Sequence, residues 1–411
     1  MSTNSSTGSS NEGRAHRSYL FVLGGCIFGC LGLLAIFNLL VDPLGAYPAT
    51  GLPWLQPYRG HFTSRAAKAE AVAHGRYDVI LLGTSRVELG LPMTHPAYGT
   101  DRVYNLGLEG TSLPELAAAL EFAIKHNNLK RVIFGVDFLL FSDMRAHRPD
   151  FDNSRFNPQL NIFEYHARNH FDWDATVRSW SLIDRLLHHR APPAAERGFV
   201  PRTIPSRMSQ RTVFANRIHD FLVNPETYGA YHYSHERVQQ FREMIRLCRS
   251  HGVELTIFIP PVHALQLETA RVAGLWPTFE QWKRDATNVV AEETKAGALR
   301  LWDFTGFKDR VAETVPPAGD RTTRMKWYID SSHFTPALGE LVLNRIFDSS
   351  TNAAGDQGFG VPLSPGNVED QLAHLRADRE VYAAAHADEV EWIRQIALHK
   401  KLKRHGTTVG E

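Results

Sequence analysis

Two short segments, far apart in the chain, carry residue types that together could do acyl chemistry. Gly83-Thr84-Ser85-Arg86 follows an apolar run, and Asp330-Ser331-Ser332-His333 precedes a segment that opens with a helix signal. A serine on a strand-to-helix turn points its hydroxyl into a cleft, near backbone N–H groups that can hold an oxyanion. That hydroxyl is a weak nucleophile until a base takes its proton. His333 is a candidate base, and Asp330, three residues earlier, is close enough to hold the imidazole in the required tautomer. Either segment alone is commonplace, but one sits after the first strand-like run and the other before the last sheet-packing helix. Gly-x-Ser-x-Gly is absent, so a nucleophile elbow of the α/β-hydrolase kind is not supported. No P-loop, His-Glu-x-x-His or Gly-x-Gly-x-x-Gly pattern occurs. His232 and His235 have a spacing that a metal could use, but no third ligand can be named, so neither metal nor cofactor is expected.

These residues need elements to position them. Five apolar runs read as buried parallel strands: Asp78–Gly83, Arg102–Leu106, Arg131–Val136, Val253–Ile259 and Leu299–Phe304. Helical stretches alternate with them. Ser112-Leu113-Pro114-Glu115 is a capping-box pattern opening a helix to about His126. Glu236–Ser250 and Thr278–Glu293 have helical periodicity, and Thr335-Pro336 starts a helix ending near Asp348. The alternation predicts an α/β fold, an open five-stranded parallel sheet flanked by helices, whose ligands bind beyond the carboxyl ends of the strands. Those ends carry Ser85 and Arg86, then Asn105 and Gly107, then Asp137, then His263, then Asp303. Arg86 and His263 are candidate cleft residues; their plainer roles are a structural ion pair and a satisfied loop histidine. Residues 141–230, rich in His, Arg, Asn, Asp and Pro, read as an insertion between the third and fourth strands. Residues 349–367 read as a linker, and Val368–Leu402 as a helical extension closing a C-terminal region of 349–411.

The composition is that of a chain that buries a core: 411 residues, 43% hydrophobic and 22% charged, with 23 Phe, 8 Trp and 12 Tyr. A net charge of +1 supplies no general attraction for phosphate, so nucleic acid is not an expected partner. Three cysteines exclude a disulfide scaffold. The average conceals Tyr19–Val41, a stretch without a charge that is long enough to cross the roughly 30 Å hydrocarbon core as a helix. A cleaved signal has a shorter apolar region, so this segment is expected to stay as a single membrane anchor. Arg14 and Arg17 precede it and Asp42 follows, which predicts a cytoplasmic N-terminus and a body outside the cytoplasmic membrane. Residues 1–18 read as a disordered cytoplasmic tail, and residues 42–348 as the α/β domain.

Taken together, Ser85, Gly107, Asp330 and His333 resemble the SGNH (GDSL-like) hydrolase superfamily, over roughly residues 75–348. That family has a serine after the first strand, a glycine after the second, an asparagine after the third and Asp-x-x-His near the C-terminus. The resemblance implies a three-layer, flavodoxin-like α/β fold with Ser85 as nucleophile, Gly107 at the oxyanion hole, and His333 with Asp330 completing the set. Asp137 departs from the pattern, because an ionised carboxylate can only accept a hydrogen bond where asparagine donates one. Three outcomes are open: a protonated Asp137, replacement by Asn105 or a backbone N–H, or an impaired oxyanion hole. The anchored layout also resembles membrane-tethered proteins of bacterial cell-surface polysaccharide or teichoic-acid acylation. That likeness implies a serine acyltransferase or esterase, acting on an acylated polysaccharide or acyl donor beside a multi-pass acyltransferase. A non-catalytic assembly subunit that keeps the fold is the second expectation, and an anchored binding protein using the same cleft for glycans is the third.

Overall fold

In the computed structural model the described residues are 8–59, 64–190, 197–199, 202, 204–294, 299–347 and 359–405. Two compact units are distinguished: residues 1–62 with 159–193, and residues 63–158 with 194–411.

The larger unit is α/β. Its strands are β1 (Val79–Thr84), β2 (Val103–Leu108), β3 (Arg131–Gly135), β4 (Glu254–Ile259), β5 (Leu301–Asp303) and β6 (Val361–Leu363). They form one six-stranded sheet in the order β2-β1-β3-β4-β5-β6. The first five are parallel, as the alternation of apolar runs and helices predicts, but β6 pairs antiparallel with β5. The sheet is therefore mixed. β6 lies in the stretch read as a linker, and its Pro362 is tolerated because an edge strand need not donate every ladder bond. Residues 349–358 of that expected linker lie outside the described residues.

Val79, Ile80, Leu81 and Leu82 of β1 are fully buried, which is why the strand reads as a continuous apolar run rather than an alternating one. Strand order reverses between β1 and β3, the point at which α/β sheets open a crevice for ligands. Ser85 begins immediately beyond β1 at that point.

The helices run Arg65–His74, Ser85–Gly90, Leu113–His126, Gln210–Val223, His235–Ser250, Ala264–Val272, Trp276–Glu293, Pro336–Phe347, Val368–Ala385 and Ala387–His405. The capping box at Ser112 and Glu115 forms as the sequence indicates. The C-terminal segment is not one helix: it breaks at His386. Nor is it an appendage. Arg379 makes two bonds to buried Glu268, at 2.6 and 3.1 Å, and Ile393 is fully buried.

The smaller unit contains the helix Gly8–Val41 and the helices Ile162–Phe171 and Trp173–Leu187. Within the first of these, His16–Val41 is long and apolar enough to cross a membrane. The observed bounds differ from the expected ones in two places. The helix begins at Gly8, so residues 8–18 continue it rather than forming a disordered tail, while residues 1–7 lie outside the described set. Residues 42–62 and 159–193 belong with the membrane-type helix and not with the α/β unit, so the 141–230 insertion is divided between the two units.

Candidate active site

Local packing explains how Ser85 is presented. Thr84 caps the short helix Ser85–Gly90 by accepting from the Arg86 N–H at 3.3 Å. That helix folds back over the sheet across three glycines that lie in register, Gly107, Gly83 and Gly135. A Cβ on Gly107 would overlap the Glu88 backbone, and one on Gly83 or Gly135 would overlap Val87. Any side chain there would lift the helix and move the serine. At its far end the same helix meets Pro336–Phe347, where a Cβ on Gly339 would overlap the Gly90 carbonyl. This close approach draws the turn preceding Pro336 toward Ser85.

That turn is tightly specified. The Ile329 N–H donates to the His333 carbonyl and the Thr335 N–H to the Trp327 carbonyl, both at 2.9 Å. Asp330 Oδ1 accepts from the N–H groups of Ser332 (2.8 Å) and His333 (3.0 Å). Gln210 donates to the carbonyls of Tyr328 and Ile329 from the insertion side. The outcome is a continuous chain: Ser85 Oγ lies 2.8 Å from His333 Nε2, and His333 Nδ1 lies 2.8 Å from Asp330 Oδ2. With Nδ1 donating to the carboxylate, Nε2 keeps its lone pair toward the serine hydroxyl. Burial by itself would raise the Asp330 carboxyl. The facing His333, Arg217 and the Ser332 N–H outweigh it and hold the group well below the usual carboxylate range. Asp330 therefore stays ionised and acceptor-only, as an orienter of the imidazole must be.

Asp137 accepts from Thr84 Oγ1 and is ion-paired with Arg86. Arg86 also donates to the Ser332 carbonyl (3.1 Å) and hydroxyl, tying the Ser85 and His333 segments together. Burial lowers the Arg86 pKa to about 10, which leaves the guanidinium charged at neutral pH. A hydroxyl on one side and a guanidinium on the other favour the ionised form of the Asp137 carboxyl.

Three sequence-indicated residues sit elsewhere. Asn105 is fully buried and spends its amide on the carbonyls of Val87, Glu88 and Leu91, with its oxygen accepting from the Gly107 N–H. It pins the serine helix and has no donor left for an oxyanion. Gly107 is a packing glycine whose N–H is already used. His263 is fully buried: Nδ1 accepts from the Leu265 N–H, Nε2 bonds the Glu313 carbonyl, and its backbone N–H donates to the Ser331 carbonyl. It supports the Asp330–His333 turn from behind. Burial lowers its pKa to about 4.

The cleft itself, about 130 Å³, contains Ser85, Arg86, Asp137 and His333. Sequence reasoning missed Gly110, which also borders it. β2 runs to Leu108, two residues beyond the expected end, so the strand's exit into the cleft is Glu109-Gly110. Gly110 has φ +67, the left-handed region that favours glycine. Arg145, Arg148 and Arg217 of the insertion line the same cleft, with Glu226 and Asp220 beside them. A strand-poor segment carries no periodicity that would have assigned them there. Among the described residues no cluster of His, Cys, Asp and Glu could hold a metal ion, and His232 instead bonds Asp143 at 2.7 Å.

No protein-family model matches the chain, and no curated protein matches it either. The functional reading therefore stands on the geometry of the site.

Proposed function

We propose that the chain is a membrane-anchored, SGNH-like serine acyltransferase or esterase, acting outside the cytoplasmic membrane on acyl esters of cell-surface polysaccharide. The observation that carries this reading is the Ser85–His333–Asp330 hydrogen-bond chain in a cleft at the switch point of the sheet. In the first half-reaction Ser85 Oγ attacks the acyl carbonyl while its proton passes to His333 Nε2. Asp330 stabilises the imidazolium that forms. Collapse of the tetrahedral intermediate breaks the bond to the leaving alcohol, which takes the proton back from His333. The acyl-enzyme is then resolved by a sugar hydroxyl, or by water, activated by the same histidine. Ser85 and Gly110 line the cleft, and their backbone N–H groups are our candidates for donors to the oxyanion. Arg145, Arg148, Arg217 and Thr227 of the insertion line the cleft beside the serine, and a substrate held against them would leave less room for water, which favours transfer over hydrolysis. The acyl group would be supplied by a multi-pass acyltransferase. Arg14 and Arg17 before the apolar helix favour a cytoplasmic N-terminus with the α/β unit on the far side.

One observation favours a second reading, a non-catalytic assembly subunit: Asp137 is committed to Arg86 and Thr84, so no side-chain amide stands at the third-strand position. A deletion strain carrying Ser85→Ala decides between them. The enzyme reading expects loss of acylated polymer with normal protein levels; full restoration by Ser85→Ala would leave the assembly reading.

A further inference from the structure

The smaller unit exposes aromatic side chains that a water-facing surface does not require. Phe163 is 84% exposed, Trp173 75%, Trp180 60% and Trp54 60%, and Phe171 and Leu187 are also exposed. Part of this set shares one helix face. On the helix Trp173–Leu187, Trp173, Val177, Trp180 and Leu187 recur with the spacing of one face. Ala175, Ser179 and Leu182 are buried on the face about 200° away, where Leu182 packs with Val41 and Leu55. The helix thus has one apolar face against protein and a second that stays largely exposed among the described residues.

The membrane-type helix says what covers that second face. Starting from Tyr19, a 30 Å hydrocarbon core is crossed in about 20 residues, ending near Asn38. From Tyr19 to Leu33 nearly every side chain is exposed, whereas Phe37, Asn38 and Val41 are wholly or partly covered. What covers them is the helix pair: Asn38 Nδ2 donates to the His170 carbonyl (2.9 Å) and to Thr176 Oγ1 (3.1 Å). The pair therefore grips the anchor at the level where hydrocarbon gives way to headgroups. Tryptophan and phenylalanine on amphipathic helices at that level are the side chains that partition into the interface.

We infer that the helices Ile162–Phe171 and Trp173–Leu187, with Trp54, form an interfacial platform that rests in the outer headgroup layer beside the anchor. The occupant of the exposed aromatic face is lipid. The inference rests on the reading of Tyr19–Val41 as a membrane anchor. It is independent of the catalytic assignment. The platform ties the unit to the bilayer surface through two helices in addition to the single span.

The full-length chain, reconstituted in phosphatidylcholine–phosphatidylglycerol vesicles, tests this. The vesicles carry bromine near the headgroup end of the acyl chains. Five of the eight tryptophans, Trp276, Trp282, Trp302, Trp327 and Trp392, belong to the α/β unit, so brominated lipid should quench chiefly the other three. The expected result is clear quenching in the wild type, most of it lost in Trp54→Phe/Trp173→Phe/Trp180→Phe, a variant that keeps the apolar surface. Equal quenching in that variant would overturn the platform. So would tryptophans open to aqueous iodide but untouched by bromolipid, the result expected if the face binds another protein or none. Alkaline carbonate separates the two readings: release of the wild type from vesicles removes the anchor and the platform together. Retention without quenching removes the platform alone.

Discussion

At the residue scale, the site is a set of committed hydrogen bonds, and each commitment has a consequence. Asp330 fixes the His333 tautomer, so Asp330→Asn, whose amide can present an N–H to Nδ1, favours the wrong tautomer. A loss of about 10⁴ in kcat with little change in KM is expected, read in an acyl-ester turnover assay. Buried His263 makes a different prediction. Its folded pKa of about 4 lies below the ordinary value of about 6.5, so the unfolded chain takes up a proton that the folded chain refuses. Stability linked to this group is complete above about pH 6.5 and is lost as pH falls toward about 4. The difference amounts to about 3 kcal/mol at most. His263→Asn, which can still accept from the Leu265 N–H, should show a shallower loss of stability between pH 7 and 4.5, measured by urea unfolding. The meeting of Ser85 with His333 and Asp330 was legible in the sequence because an α/β topology brings the end of the first strand and the turn before the last sheet-packing helix to the same edge. Asn105 turns away from the cleft and His263 takes the plainer of its two expected roles for one physical reason: a strand end feeds both the cleft and the packing behind it, and sequence does not say which way a side chain turns.

At the element scale, the short helix Ser85–Gly90 is set by what the sheet lacks. Gly107→Ala places a methyl group in the Glu88 backbone and should cost roughly 1–3 kcal/mol, visible as a lower unfolding midpoint. Gly110→Ala meets a different obstacle, a left-handed backbone worth about 1–2 kcal/mol, and the nearest atoms belong to the flexible end of Arg148. Its larger effect should fall on kcat, because Gly110 borders the cleft. Finding the reverse order, with Gly110→Ala silent in turnover, would remove it from the oxyanion assignment. The parallel strands could be read because they are buried on both faces, as Val79–Leu82 shows. β6 could not: three residues with a central proline lie below any periodicity signal, and only the edge of β5 makes them a strand. The end of β2, two residues beyond its expected place, has another origin: Gly107 looks like a terminator but is a packing residue inside the strand.

At the scale of the whole molecule, near-neutral composition gives no address, and the uncharged stretch Tyr19–Val41 gives the strongest pointer to one. Tertiary partners account for what composition could not assign. Residues 42–62 join the apolar helix, and the C-terminal helices complete the α/β unit. Arg379→Met would strand Glu268 as a buried, unpaired carboxylate and should destabilise that unit by about 3 kcal/mol or more, measured by denaturant unfolding. A neutral result would return the C-terminal helices to the status of a dispensable extension. The central claim, that Ser85 is an activated nucleophile, is tested most directly by covalent labelling of the full-length chain with a serine-reactive fluorophosphonate, followed by peptide mapping. The account predicts an adduct on Ser85 in the wild type, none in Ser85→Ala and a strongly reduced rate in His333→Ala. Labelling of Ser85→Ala at the wild-type rate would contradict it.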